Sequence, residues 1–214
     1  MEPQFGSDLF TYELTDDMEE AKIELGTVFA SSNMPHDWQI YAAFQLVEKQ
    51  TILNIPTGYG KSHVLSTAAF ILANRGERVT LLFQTELIKN RDQDNFAHLL
   101  RMRKDGEPLV SFEAIWGANR DGCPYLNFKP EIFDRRVLMD EIDVAFLDQT
   151  EFRDKIIPYV TMISGVTASA TATDKTSLFE KEFLELLDFK VVPMDENYRP
   201  PEVNDTDDVE EMYS

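Results

Sequence analysis

A chain of 214 residues that is 43% hydrophobic can bury a full core, and its length fits one domain with or without extensions. A formal charge of −19 repels phosphate backbones at long range and argues against autonomous nucleic-acid binding. The single cysteine, Cys123, excludes an internal disulfide, and no apolar run reaches the length of a membrane span.

Much of the charge lies at the ends. Residues 1–20 hold seven acids and no base, and residues 202–214 hold six acids and no base. Both read as solvated, flexible acidic segments: an N-terminal extension over 1–34, helical in part, and a disordered tail over 201–214. The stretch 35–200 is then the folded domain. "MEPQFGSDLF" lacks the basic region and apolar core of a secretory leader, so a cytoplasmic placement is expected. His36, His63 and His98 form no i,i+4 pair and are expected to be structural rather than metal ligands.

In chain order, Thr51–Ile55 is a β-rich apolar run, and "PTGYGKS" follows it. Val64, Leu65, Ala68, Ala69, Ile71 and Leu72 then recur at helical spacing until Gly76. Strand, glycine turn and helix in that order make a phosphate cradle. The usual loop, G-x-x-x-x-G-K-[ST], would need glycine at position 55, where isoleucine stands. What remains is Thr57-Gly58-Tyr59-Gly60-Lys61-Ser62. The glycines permit left-handed backbone, the loop N–H groups at a helix N-terminus face phosphate, Lys61 supplies an ammonium, and Ser62 a hydroxyl for Mg²⁺. A turn that merely carries a lysine is the competing reading.

Further on, Arg78–Phe83 reads as a second buried strand. A helix is expected over Glu86–Lys104 with Leu87, Ile88, Phe96, Leu99 and Leu100 inward. Arg101, Arg103 and Lys104 would then lie at a helix end and complement its dipole. "PLVSFEAIW" suggests a strand and "GANRDGCPYLNFKP" a loop. Val137–Met139 is a short strand, Tyr159–Ile163 another, Lys175–Leu187 a helix and Lys190–Met194 a last strand. This alternation predicts an α/β fold, a mostly parallel sheet with helices on both faces and function at the carboxyl ends of the strands.

Asp140 and Glu141 follow the Val137–Met139 strand, where a Mg–nucleotide site needs carboxylates. Asp140 would hold Mg²⁺ opposite Ser62, and Glu141 would polarise the attacking water. Asp143 and Asp148 follow, and in so acidic a chain two adjacent acids after a strand can also be plain surface residues. The segment Thr167-Ala168-Ser169-Ala170-Thr171 has two open readings: a capping turn before Asp174, or a γ-phosphate sensor whose hydroxyls at Thr167, Ser169 and Thr171 relay nucleotide state.

The segments "PHDWQIYAA", "IPTGYGKS", "VTLLFQTELIKNRDQDNF", "IWGANRDGCPYLNF", "VLMDEIDVAFLD" and "GVTASATATDKTSLFEKEF…VVPMDENYRP" occur in an order that resembles the first motor domain of the SecA preprotein translocases, over roughly residues 35–200. The relaxed phosphate loop and the Asp-Glu-x-Asp run are shared with superfamily 2 helicases generally, whose loop reads Thr-Gly-x-Gly-Lys without an earlier glycine. That accounts for Ile55. The resemblance implies a single RecA-like ATP-binding domain using ATP and Mg²⁺. It implies that Gln39 reads adenine, that Thr57 to Ser62 bind the phosphates, that Ser62 and Asp140 hold the metal, and that Lys61 and Glu141 serve catalysis. Its partners would be a preprotein or other polypeptide, a second motor lobe or another chain, and a membrane surface contacted peripherally.

Two departures stand out. Only Val144–Val166 separates the carboxylate and coupling motifs, where SecA carries a crosslinking domain, and the resemblance stops soon after Arg199-Pro200. One lobe with slow hydrolysis is therefore expected, since the arginine a second lobe presents is worth on the order of 10³-fold or more. A helicase-type nucleic-acid motor, which the acidic charge disfavours, and a non-catalytic interaction module using its acidic ends are the other two readings.

Overall fold

The computed structural model describes residues 13–29, 33–147, 149–168 and 186–193. Ser169, Thr171, Asp148 and most of the helix expected over 175–187 lie outside them.

Helix α1 (Asp16–Val28) begins at Thr15, whose hydroxyl accepts the Met18 N–H, and Asp16, Asp17 and Glu19 sit where the helix dipole favours acids. Although acidic, it is not simply solvated. Met18, Ala21 and Leu25 are buried against the domain, and Lys22 pairs with Asp37 at 2.8 Å. Helix α2 (Asp37–Val47) runs into strand β1 (Thr51–Asn54), then helix α3 (Lys61–Asn74) and strand β2 (Val79–Thr85). Every residue of α3 from Val64 to Ala73 is buried, a helix covered on all sides rather than on one stripe. Its Ser66 and Thr67 hydroxyls are satisfied by donating back to the His63 carbonyl.

Helix α4 (Glu86–Asn95) is shorter than the sequence spacing predicts. Phe96 leaves helical geometry, 97–101 tightens into a 3₁₀ turn that buries Leu99, and Arg103–Lys104 and Glu107–Pro108 form a two-strand hairpin, β3 and β4. The hairpin is closed by Asp105-Gly106, both at positive φ (53° and 83°), the conformation a tight two-residue hairpin requires. Arg103 and Lys104 are thus exposed hairpin residues and complement no helix dipole.

Strand β5 (Val110–Ala118) is followed by β6 (Pro124–Leu126), formed inside the expected loop. Next come β7 (Arg136–Met139), α5 (Ile142–Leu147), α6 (Thr150–Ile156), β8 (Ile163–Thr167) and β9 (Lys190–Pro193). The strand expected over 159–163 is displaced. Residues 157–162, with Pro158 in the first turn, form a 3₁₀ helix, and the small residues Ser164-Gly165 belong to β8. Gly165 is small for a packing reason: a Cβ there would meet the Met139 carbonyl at 2.7 Å and Ile142 at 2.8 Å.

Seven strands make one sheet in the order β6-β5-β2-β7-β8-β1-β9, parallel throughout except for edge strand β6. The strands alternate strictly between two cores, as a pleat of period two demands. Leu53, Leu81, Phe83, Leu138 and Val166 face the core roofed by α1, α2 and α3. Ile52, Leu82, Val137, Met139 and Ile163 face the core closed by α5 and α6. A sheet buried on both faces is the expected doubly covered α/β architecture.

Candidate functional site

The carboxyl ends of β1, β7 and β8 meet in the middle of the sheet. The chain leaves β1 at Asn54, and Ile55 is fully buried, its N–H donating to the Thr167 carbonyl at 2.8 Å. Position 55 therefore still belongs to the β1–β8 ladder and the core. It needs a large apolar side chain, and the loop proper starts after it. Gly58 and Gly60 have φ of 87° and 75°, and Gly60 is the N-cap of α3. At Gly60 a Cβ would lie 2.5 Å from the Gln39 Nε2, whereas at Gly58 it would meet nothing within 4 Å. One glycine is required by conformation and by space, the other by conformation alone.

Among the described residues, the N–H groups of Thr57, Gly58, Gly60, Lys61 and Ser62 have no backbone acceptor, and α3 has no side-chain N-cap. A row of open donors at the start of a fourteen-residue helix is a cradle for an anion. Lys61 makes no ion pair within 4 Å among the described residues. Its charge nevertheless acts on Asp140. Donor set and charge fit a polyphosphate.

Gln39 is buried and ties α2 to this loop. Its Oε1 accepts the His36 N–H at 2.8 Å, and its Nε2 donates to the Tyr59 carbonyl at 3.3 Å. One N–H and one lone pair remain for a base. The Trp38 and Tyr59 rings pack edge to face at 6.1 Å beside it.

Ser62 Oγ donates to Asp92 Oδ2 at 2.9 Å. Asp92 is buried on α4, and its other oxygen accepts from Arg91 Nε at 2.9 Å. A hydroxyl has one proton and two lone pairs, so this bond leaves Ser62 able to ligate a cation. Asp92 did not emerge from the sequence, although a signal existed: Ile88, Asp92 and Phe96 share one face at four-residue spacing, with an acid in the middle of the inward stripe. Leu87, expected inward, is 80% exposed.

Asp140 sits at the end of β7, 8% exposed. Burial pushes its carboxyl up to about 6; Lys61 pulls it down, Glu141 and Asp92 push it further up, and the Glu141 N–H, donated to Oδ1 at 3.0 Å, pulls it down. Glu141 has a left-handed backbone, φ 48°. Gln84, also not singled out by the sequence, is buried at the end of β2 and donates from Nε2 to the carbonyls of Asp140 and Glu141, each at 3.3 Å.

Thr167, at the end of β8, is fully buried beside β1, opposite Asn54. Among the described residues no group of three or more His, Cys, Asp or Glu forms a metal cluster. His63 packs edge-on against Phe96 at 5.3 Å, and burial lowers its pKa. His98 packs against Phe29 at 4.3 Å. No described helix is long and apolar enough to cross a membrane.

No protein-family model matches the chain, and no curated protein sequence matches it either. Among solved structures, the UvsW helicase of bacteriophage T4 superposes with TM-score 0.56 at 17% identity, over 86% of this chain and 69% of that one. A second T4 UvsW structure gives 0.57 at 19% identity, over 85% of this chain and 39% of that one. The Sulfolobus solfataricus SWI2/SNF2 ATPase core in complex with dsDNA reaches 0.47 at 11% identity, over 73% of this chain and 43% of that one. The chain thus shares the fold of the UvsW structures, α/β with a mostly parallel sheet, and spans only part of them. None of these neighbours is a SecA protein.

Proposed function

We propose that this chain is the Mg–ATP-binding domain of a superfamily 2 helicase-type motor. The observation that carries this reading is the cradle: open N–H donors of Thr57, Gly58, Gly60, Lys61 and Ser62 at the start of α3, with Lys61, which makes no ion pair among the described residues, acting on the buried Asp140. The loop donors and Lys61 bind the phosphates, and Gln39, pinned to the Tyr59 carbonyl, couples the base side to the loop. Ser62 and Asp140 are the metal ligands, and Mg²⁺ bound there would neutralise charge on the terminal phosphates. Glu141 orients the attacking water, with Thr167, and Ser169 and Thr171 beyond it, sensing the outcome. Arginines presented to the γ-phosphate by a second lobe or another chain would speed hydrolysis, a contribution on the order of 10³-fold or more.

The test is titration with a fluorescent ATP analogue with and without Mg²⁺. Lys61→Ala should abolish binding, and Glu141→Gln should keep binding and remove turnover; equal affinity in wild type and Lys61→Ala overturns the site. Kinship of fold with UvsW favours a nucleic acid as the track over a polypeptide, against the long-range repulsion of a −19 chain. The preprotein-translocase reading is carried by the motif order alone, above all "IWGANRDGCPYLNF". Turnover stimulated by single-stranded DNA or RNA, and lost with rising salt, supports the helicase-type reading; stimulation by an unfolded polypeptide instead supports the translocase.

A further inference from the structure

We propose that Gln84 is a positioning residue for Glu141: its side-chain amide, anchored by Gln149, clamps both carbonyls of the Asp140–Glu141 turn. The proposal rests on the nucleotide reading above, since that reading makes Glu141 the water-orienting carboxylate.

Three observations converge on this clamp. Glu141 holds a left-handed φ of 48°, which a non-glycine residue keeps only where its surroundings over-determine it. Local bonds supply part of that constraint: Asp140 N–H donates to the Leu82 carbonyl at 2.9 Å, Glu141 N–H to Asp140 Oδ1 at 3.0 Å, and Val144 N–H to the Glu141 carbonyl at 3.0 Å.

Gln84 supplies the long-range part. β2 and β7 are neighbours with Leu82 opposite Met139, so residue 84 lies one strand across from the turn. Its two N–H groups reach two consecutive carbonyls at 3.3 Å, and its Oε1 accepts from Gln149 Nε2 at 2.9 Å. Gln149 is the residue before α6, so the clamp is held from both sides of the turn. Only a side chain of this length with two donors and an acceptor on one planar group can make all three bonds. Glutamate has the same shape but would set an oxygen against two carbonyl oxygens. Loosening the turn would leave phosphate binding intact and spoil the alignment of the attacking water, because orientation matters to the chemical step and not to the cradle.

The experiment uses the full chain with Gln84→Met, Gln84→Glu and Gln149→Leu. Amide hydrogen exchange without nucleotide should quicken about tenfold over residues 138–147 in Gln84→Met and leave β1 and α3 unchanged. Unchanged exchange there overturns the proposal. In single turnover, Gln84→Met should slow cleavage about tenfold while affinity for the fluorescent ATP analogue stays within about twofold. Added to Glu141→Gln, it should cost nothing further, because the two act through one group. Additive loss, or affinity falling in step with rate, overturns it. Should both Gln84 variants fail to fold, Gln149→Leu keeps the donor and removes its anchor, and exchange at the turn should still rise about threefold; no rise overturns the proposal. A wild-type chain that hydrolyses nothing removes the catalytic reading of Glu141 separately, while the exchange measurement still decides whether Gln84 holds the turn.

Discussion

Replacing Asp140 by asparagine removes a charge that the fold holds at a cost. Burial, above all, holds the native carboxyl up at about 6, well above the ordinary 3.8 of an aspartate. At about 1.4 kcal/mol per unit, ionised Asp140 destabilises the metal-free protein by up to about 3 kcal/mol. Asparagine keeps an oxygen to accept the Glu141 N–H and lacks the charge. Between the two pKa values the native state binds more protons than the unfolded chain, so stability falls as pH rises through this window. The stability associated with this group is fully present below about 3.8 and lost as pH passes about 6. Urea unfolding without Mg²⁺ should find Asp140→Asn more stable than wild type by about 2–3 kcal/mol at pH 8, by about half that at pH 5, and by almost nothing at about pH 3. Adding Mg²⁺ and nucleotide should reverse the order, because only the wild type gains a ligand for the metal. Equal stability at pH 8, or a gain at about pH 3 as large as that at pH 8, would refute burial as the cause.

The two loop glycines should separate by mechanism. Gly60→Ala combines left-handed strain with a clash that breaks the Gln39–Tyr59 tie, about 2 kcal/mol in thermal unfolding, whereas Gly58→Ala meets only open space and should cost about 1 kcal/mol. Equal costs would mean the contact with Gln39 is unimportant. Asp92→Ala takes the acceptor from the Ser62 hydroxyl and should weaken Mg²⁺-dependent nucleotide binding about tenfold while sparing binding without Mg²⁺. Asp92→Asn, which still accepts, should lose much less in the same titration, and identical losses would assign Asp92 a role through charge instead.

Features that depend on near neighbours along the chain are legible in the residues alone. The β-rich run, two glycines, a lysine and a helical repeat are consecutive in residues 51–74, so the cradle was legible, as were two acids after the apolar strand before 140. Ile55 looked like a missing glycine, and its place between β1 and the Thr167 carbonyl shows why an apolar residue belongs there. α4 ends earlier than apolar spacing predicts because Phe96 and Leu99 reach the core through a 3₁₀ turn, which that spacing does not distinguish from further helix. β8 lies later than apolar spacing predicts because Ser164 and Gly165 have the composition of a loop, yet Ile142 of α5 packs on Gly165 and the Ser164 hydroxyl bonds to the Glu48 carbonyl.

Which polar side chains complete the site depends on packing between distant segments. Ser62 meets Asp92 thirty residues away, and Gln84 meets the Asp140–Glu141 turn across more than fifty. Those partnerships follow from β2 lying beside β7 and from α4 docking near the start of α3. Strand order is fixed by how two cores pack on a single sheet, and a local period in the sequence carries no record of it.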